Sequence, residues 1–338
     1  YGTLNLGDVD KDGDLDLVAS GSTTVWGSPR LDLYLNDGAG GFGAASGFGT
    51  AVGLAAASSL GDLDRDGDLD LVVSGLDSGS VRRLQRYTNN GAGTFGGPIS
   101  FGTAVNGGTT TLLDADGDGD LDLVTTGSSD GAESGARLDY YANPGNGAFG
   151  AAASIGPGMS FLGSASAGDI DKDGDLDLVV SGRDSGSVNR LYRYYNNGAG
   201  TFSGPTNFGA GQGLRDSATA LADIDADGDV DLIVTGEDYP AVAGEVGYLR
   251  KYVNTAGGAN VAPGAPTSLT GATNAGKWTL RWTAPSDDHT VTAMLRYQIA
   301  ISTQVGGPFR YASTNISYSP HMGHNTEHGS MGNVPSSN

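Results

Sequence analysis

Along residues 1–258, short apolar runs alternate with clusters of Gly, Asn, Asp and Ser, and the runs fall into a repeating order. An acidic loop is followed at once by an apolar run such as Leu17-Val18 or Leu71-Val72-Val73. Some 20 to 30 residues later comes the pattern Arg-Leu-x-x-Tyr-x-Asn-x-Gly-x-Gly-x-Phe. Runs rich in β-branched residues bounded by turn formers read as strands, and an Asn/Gly turn between two such runs reads as a hairpin. Each unit therefore predicts four short strands, placed in the second unit near 55–61, 69–75, 82–89 and 95–102. The acidic loop joins the first pair, a variable Gly/Ser loop the second, and a Gly-rich hairpin the last. Nothing in residues 1–258 shows sustained helical periodicity.

The columns of the second pattern are regular. Arg30, Arg83, Arg137 and Arg190 lead it, and Leu31, Leu84, Leu138, Leu191 and Leu249 follow. Then come Tyr34, Tyr87, Tyr141, Tyr194 and Tyr252, next Asn36, Asn89, Asn143, Asn196 and Asn254, and last Phe42, Phe95, Phe149 and Phe202. The acidic loops start at Asp8, Asp62, Asp114, Asp169 and Asp223, at intervals of 54, 52, 55 and 54 residues. A period above 50 residues with four strands per unit predicts an all-β fold, a β-propeller of four-stranded blades with five repeats visible. The Arg column is expected to form a repeated salt bridge or hydrogen bond to the next repeat.

The acidic loops carry the chemistry. In the first, Asp8, Asp10 and Asp12 hold positions 1, 3 and 5, Gly13 position 6, Asp14 position 7 and Asp16 position 9. The same offsets return in Asp62, Asp64, Asp66, Asp68 and Asp70, in Asp114, Asp116, Asp118, Asp120 and Asp122, in Asp169, Asp171, Asp173, Asp175 and Asp177, and in Asp223, Asp225, Asp227, Asp229 and Asp231. Alternate positions of a tightly curled loop point inward, so carboxylates at 1, 3, 5 and 9 converge. Gly at 6 permits the sharp turn, and the carbonyl at 7 adds an oxygen. Oxygen-only coordination suits Ca²⁺, about five ions in all, with Mg²⁺ second because it demands a tighter octahedron. Two carboxylates about 5 Å apart repel by roughly 3 kcal/mol at an effective dielectric near 20, which favours a cation at neutral pH. An EF-hand needs a Glu at position 12 and flanking helices. Position 12 here is Ala19, Val73, Thr125, Val180 or Val234, so that motif is rejected. In the third loop the spacer at position 4 is Gly117.

By these five acidic loops the chain resembles the FG-GAP/VCBS repeat family, found in integrin α-subunit head propellers and bacterial surface proteins. The resemblance covers roughly residues 1–258. It implies a β-propeller with Ca²⁺ in the loop between the first two strands of each blade, held by the carboxylates at positions 1, 3, 5 and 9 and the position 7 carbonyl. Propellers of the family often have seven blades, whereas five are visible here. Tyr1 to Leu6 occupies a first-strand position, and Asn260 stands where the fifth unit expects Phe. The sheet is expected to be completed by residues upstream of Tyr1 or by a neighbouring chain, since an open edge invites pairing.

Residues 259–266, centred on Val261-Ala262-Pro263-Gly264-Ala265-Pro266, read as a linker. In residues 267–338, Lys277 to Pro285 and Leu295 to Ile301 alternate like sandwich strands, resembling the first half of a fibronectin type III domain with Trp282 and Tyr297 as its core aromatics. The segment is shorter than the ~100 residues of such sandwiches and ends in a Gly/Ser/His-rich tail. His321, His324 and His328 have metal-compatible spacing, although a solvated tail is the plainer reading.

Composition adds limits. Acids outnumber bases 39 to 18, and loop aspartates supply 25 of those acids. The negative charge disfavours nucleic acid. There is no cysteine, no apolar run long enough to span a membrane and no signal-like segment. Starting at Tyr rather than Met, the chain reads as processed or as a fragment. Asn315-Ile316-Ser317 is a glycosylation sequon. Trp26 and Tyr239 lie in variable loops, where they either pack locally or contact sugar or protein. All four histidines lie after residue 288, and no catalytic constellation is evident. The function expected is a secreted or surface-displayed, calcium-stabilised propeller for adhesion, recognition or assembly. Its partners are protein or glycan, or copies of itself through an unpaired sheet edge. The alternative is a lectin or polysaccharide-degrading enzyme on the same propeller.

Overall fold

Strands form where the alternation places them. The computed structural model describes residues 2–22, 28–53, 55–225, 227–238, 246–254, 267–274, 277–283, 300–301, 311–312 and 329–330. The first repeat is β1 (Gly2–Gly7), β2 (Asp16–Ser22), β3 (Pro29–Tyr34) and β4 (Ser46–Val52), and the second is β5 (Ala57–Gly61), β6 (Asp70–Leu76), β7 (Arg82–Tyr87) and β8 (Ile99–Ser100). The third is β9 (Thr110–Leu113), β10 (Asp122–Ser128), β11 (Ala136–Tyr141) and the first half of β12 (Ala153–Gly168). The second half of β12 opens the fourth repeat, completed by β13 (Asp177–Arg183), β14 (Asn189–Asn196) and β15 (Phe202–Gln212). The fifth shows β16 (Arg215–Ala222), β17 (Asp231–Asp238) and β18 (Val246–Tyr252). Pairing is antiparallel, and within each of these five repeats it follows the order of the chain. The fold is all-β, and the only described helical residues are the 3₁₀ turn Glu133–Gly135.

The strands of the second repeat match the expected positions except the last. In place of 95–102 there is a bridge from Asn89 to Phe95 and the two-residue β8. Gly96-Gly97-Pro98 lies between them, and proline cannot donate to a ladder.

By internal packing the chain divides into two units. One is Tyr1–Asp171, Asp175–Ile224 and Val230–Asn254; the other is Lys172–Gly174, Asp225–Asp229 and Thr255–Asn338. In the second, β19 (Thr267–Asn274) pairs with β20 (Lys277–Thr283), which pairs with β23 (Gly329–Ser330). β21 (Ala300–Ile301) pairs with β22 (Tyr311–Ala312). The predicted strand from Lys277 is present, with Trp282 on β20, while Tyr297 lies outside the described residues.

In the first unit the apolar core lies between repeats. One cluster joins Val9, Val18, Leu31 and Leu33 of the first repeat to Leu71, Val73 and Tyr87 of the second. The next joins Leu63, Val72 and Leu84 to Leu123 and Tyr141 of the third. Two more follow the same rule, the last joining Ile170, Val179, Leu191 and Phe208 to Leu214, Leu232 and Val234. Successive residues of a strand face opposite sides. Leu71 and Val73 therefore pack back on the first repeat while Val72 packs forward on the third. This explains why the second strands are apolar without a break. First strands of successive repeats, β1, β5, β9, β12 and β16, lie side by side in that order. Their contacts are small: Asn5 Nδ2 donates to Ser58 Oγ, Ser59 Oγ to the Thr110 carbonyl, and Ser166 Oγ to the Thr219 carbonyl.

Candidate metal centre

Each acidic loop connects the first two strands of its repeat and is wound by its own aspartates. At position 1, the carboxylates of Asp8, Asp62 and Asp114 accept the position 6 N–H at 3.1, 2.7 and 3.0 Å. At position 5, those of Asp12, Asp66, Asp118 and Asp227 accept the N–H two residues on. Position 6 is always Gly with φ between 85° and 99°, as expected for the sharp turn. Position 4 is left-handed as well, with φ of 62° at Lys11, 63° at Arg65 and 66° at Lys172. This conformation is costly for a residue with a side chain. Gly117, at φ 75°, is therefore the natural occupant of that place, not an incidental spacer.

The winding gathers the carboxylates. In the first unit, ligand oxygens lie within 4.8 Å of one another in Asp8, Asp10 and Asp16, in Asp62, Asp64 and Asp66, in Asp114, Asp116 and Asp118, and in Asp169, Asp171 and Asp177. Positions 1 and 3 belong to every group, and position 5 or 9 supplies the third. Of the fifth loop, Asp223 and Asp231 fall in the first unit and Asp225, Asp227 and Asp229 in the second. Two oxygens on one Ca²⁺ at 2.3–2.6 Å stand no more than about 5 Å apart, so the groups fit a shared hard cation. Asp8 Oδ1 and Asp64 Oδ1 are buried and accept no hydrogen bond from the protein, leaving lone pairs for such an ion.

The other two loop positions differ in role. Position 7 side chains turn away toward the Asn-Gly hairpin. There the carboxylates of Asp14, Asp68, Asp120 and Asp175 lie against Gly38, Gly91, Gly145 and Gly198, so closely that a Cβ on those glycines would meet them at 2.4 to 2.6 Å. The position 7 side chains are thus taken up at the hairpin. Position 9 is a structural hub. One oxygen of Asp16, Asp70, Asp122, Asp177 or Asp231 accepts the N–H of loop position 2 (Val9, Leu63, Ala115, Ile170 or Ile224) at 2.9 to 3.1 Å. The other accepts the N–H of Asn36, Asn89, Asn143, Asn196 or Asn254 at 2.7 to 2.9 Å.

Burial raises the carboxyl pKa values of several loop aspartates. It pushes Asp70 up to about 7 and Asp122 up to about 6, against N–H donors that pull each down. Asp10, Asp64, Asp114, Asp116 and Asp120 are raised as well, burial first and neighbouring aspartates next. These are the groups a divalent ion would relieve.

Loops of successive repeats are tied together. Lys11 pairs with Asp68, Arg65 with Asp120, and Lys172 with Asp229, in each case from position 4 of one loop to position 7 of the next. Arg65 also donates to the Asp118 carbonyl at 2.7 Å. These are the inter-repeat ion pairs that were expected of the Arg column. That column instead pairs within its own repeat: Arg30 with Asp32, Arg83 with Asp77, Arg137 with Asp139 and Arg190 with Asp184. The reason is reach, since an acid stands two residues on along the same strand or in the turn six residues back.

The Asn column does more than turn the chain. Nδ2 of Asn89, Asn143, Asn196 and Asn254 donates to the position 2 carbonyl of the preceding repeat, at Val9, Leu63, Ala115 and Ile170, over 2.7 to 2.8 Å. The motif columns leave out a Phe-Gly pair that lies within β4 at Phe48-Gly49 and directly after β8 at Phe101-Gly102. Phe48 meets the Tyr87 ring edge-on and stacks on Phe95, and Phe101 does the same with Tyr141 and Phe149. The Tyr87 and Tyr141 hydroxyls accept the next backbone N–H, of Thr50 and Thr103. Its signal is the recurrence of Phe roughly 40 residues after a loop start, at 48, 101 and 208.

Trp26, Tyr239, His321, His324, His328 and Asn315-Ile316-Ser317 lie outside the described residues. No described helix is long and apolar enough to cross a membrane.

Comparison with known families and structures places these features. The model for the FG-GAP-like repeat matches residues 8–73, 62–125, 127–180 and 169–234. No curated protein matches. Among solved structures the chain is similar to the crystal structure of the V. cholerae biofilm matrix protein Bap1, at 15% identity and a TM-score of 0.37. That similarity covers 83% of this chain, which spans less than half (46%) of the other.

Proposed function

This chain belongs to the FG-GAP-like repeat family, and from that premise we propose that it is a calcium-stabilised β-propeller segment acting outside the cell in adhesion, recognition or assembly of a surface structure. The observation that carries the calcium reading is the gathering of carboxylate oxygens in the acidic loops, with partnerless buried oxygens on Asp8 and Asp64. Carboxylates at positions 1, 3, 5 and 9, with the carbonyl at 7, would hold the ions. A bound Ca²⁺ supplies positive charge where the chain concentrates negative charge. The chain's own part is to wind each loop through the position 1 and 5 aspartates and to anchor it through position 9. Loops of this type bind at the calcium levels of extracellular fluid, about 10⁻⁴ to 10⁻³ M, which supports an extracellular site of action. The side-by-side first strands and the cores shared between neighbours support blades of a propeller. The segment from Thr267 on is assigned the fibronectin-like role on its hairpin.

Thermal melting with and without chelator tests this. Each site occupied at 100-fold its Kd adds about 2.7 kcal/mol, and a domain of this size shifts by about 2–4 °C per kcal/mol. Several sites together should thus lower the melting temperature by about 10 °C or more in chelator. An unchanged curve, with no heat of calcium binding by calorimetry, would overturn the proposal.

A further inference from the structure

Position 4 of the first three loops is left-handed, at φ 62° for Lys11, 63° for Arg65 and 75° for Gly117. Glycine adopts this conformation freely, whereas a residue with a side chain loses stability there. At Lys11 and Arg65 a contact outside their own loop offsets the loss. The Lys11 ammonium meets the Asp68 carboxylate and the Arg65 guanidinium that of Asp120, each at position 7 of the following loop. Both acids are buried, so each enclosed carboxylate draws its counter-charge from the preceding repeat. Arg65 also donates to the Asp118 carbonyl at 2.7 Å, and so holds positions 5 and 7 of the third loop together. These contacts need both loops wound. The first must keep position 4 left-handed to aim the base. The second must turn its position 7 side chain to the hairpin, as Asp68 and Asp120 do against Gly91 and Gly145. No such contact can leave the third loop, because Gly117 has no side chain.

We propose that Lys11 and Arg65 couple calcium binding from loop to loop, so that an ion in one of the first three loops favours an ion in the next, and that the coupling stops at Gly117. This rests on the calcium reading above. An ion held by one loop fixes its winding and aims its base. The next loop then has less ordering left to undergo when its own ion binds. The effect is reciprocal, the later ion strengthening the earlier by the same factor. Because the bases are half exposed, each joint is worth about a two- to fivefold change in affinity. The Asn amides cannot set one joint apart, since Asn89, Asn143 and Asn196 tie each of the first three joints alike. The missing base can also be supplied. A Cβ on Gly117 would stand 3.6 Å from the Gly198 carbonyl oxygen, and Gly198 lies against the Asp175 carboxylate of the fourth loop. A lysine at 117 would therefore reach that acid.

Terbium, a hard cation that enters calcium sites and emits when a nearby tyrosine is excited, reads the third loop, because the Tyr140 hydroxyl donates to Asp122 Oδ2 at 2.9 Å. The signal is the emission that Tyr140→Phe removes, measured on the whole chain. Disabling the second loop with Asp64→Asn should raise the third-loop midpoint about two- to fivefold. In an Arg65→Gly background, where position 4 matches the third loop, Asp64→Asn should leave the midpoint unmoved, and Arg65→Lys should restore the dependence. Asp171→Asn in the fourth loop should have no effect on that midpoint until Gly117→Lys is added. If circular dichroism shows Asp64→Asn unfolded, the shape of the titration decides: steeper than a single-site curve in the wild type, single-site in Arg65→Gly. A midpoint indifferent to Asp64→Asn, or one still shifted in Arg65→Gly, would overturn the coupling and leave the calcium reading standing. A chain that takes up neither terbium nor calcium would overturn both.

Discussion

An aspartate, an asparagine and a carbonyl recur at the joints of this protein, and their protonation and pairing set its response to conditions. Asp70 and Asp122 are raised to about 7 and about 6 by burial. A raised pKa means the folded chain holds these protons more tightly than the unfolded one. The resulting stability is complete below about pH 4 and is lost as pH rises through the folded values. In excess chelator the protein is therefore expected to melt higher at about pH 5.5 than at about pH 8. In saturating calcium the order should reverse, because the ion binds ionised carboxylates. Paired melting curves check both signs. The asparagines give a second contrast. Asn143→Ala leaves the buried Leu63 carbonyl without its donor and should cost about 1–3 kcal/mol. Asn36→Ala, half-buried at its own hairpin, should cost under about 1 kcal/mol in the same denaturant titration. The loop aspartates were legible because five copies share one spacing. The separate duty of position 9 was not, since all five acids of a loop look alike until the fold brings Asn36 or Asn89 beside one of them.

At the level of strands and loops, close approach decides which glycines matter. A Cβ on Gly61 would meet the δ carbons of Leu121 and Leu112 at 2.6 and 2.9 Å. Gly61→Ala is expected to cost about 1–3 kcal/mol by overpacking the joint between second and third repeats. Gly97→Ala, where a Cβ would meet nothing within 4 Å, should change stability by less than about 0.5 kcal/mol. Chemical denaturation of the two variants separates a packing role from a turn role. Strand positions followed from alternation in the second repeat, down to β6 and β7. The fourth strand did not, because Gly and Pro weaken pairing there and a bridge at Phe95 takes over. Nor did the spacing reveal that β12 serves two repeats. The turn-like Gly156-Pro157-Gly158 falls inside β12, which pairs with β11 through its first half and with β13 through its second.

For the molecule as a whole, the same side chain has a different worth at different places in the row. Leu84→Ala opens a cavity in the core between second and third repeats and should cost about 2–5 kcal/mol. Leu249→Ala, in the same column of the pattern but exposed, should cost the isolated chain less than about 1 kcal/mol. Sequence by itself determined the period, the strand-forming segments, the wound acidic loops and the all-β class. These rest on local physics: side-chain alternation, left-handed glycine, and repulsion among neighbouring carboxylates. Only the tertiary structure decided that the core lies between repeats and that Lys11 and Arg65 rather than the Arg column bridge them. Those outcomes depend on which residues some 50 to 80 positions apart come to face one another, and no local pattern encodes that distance.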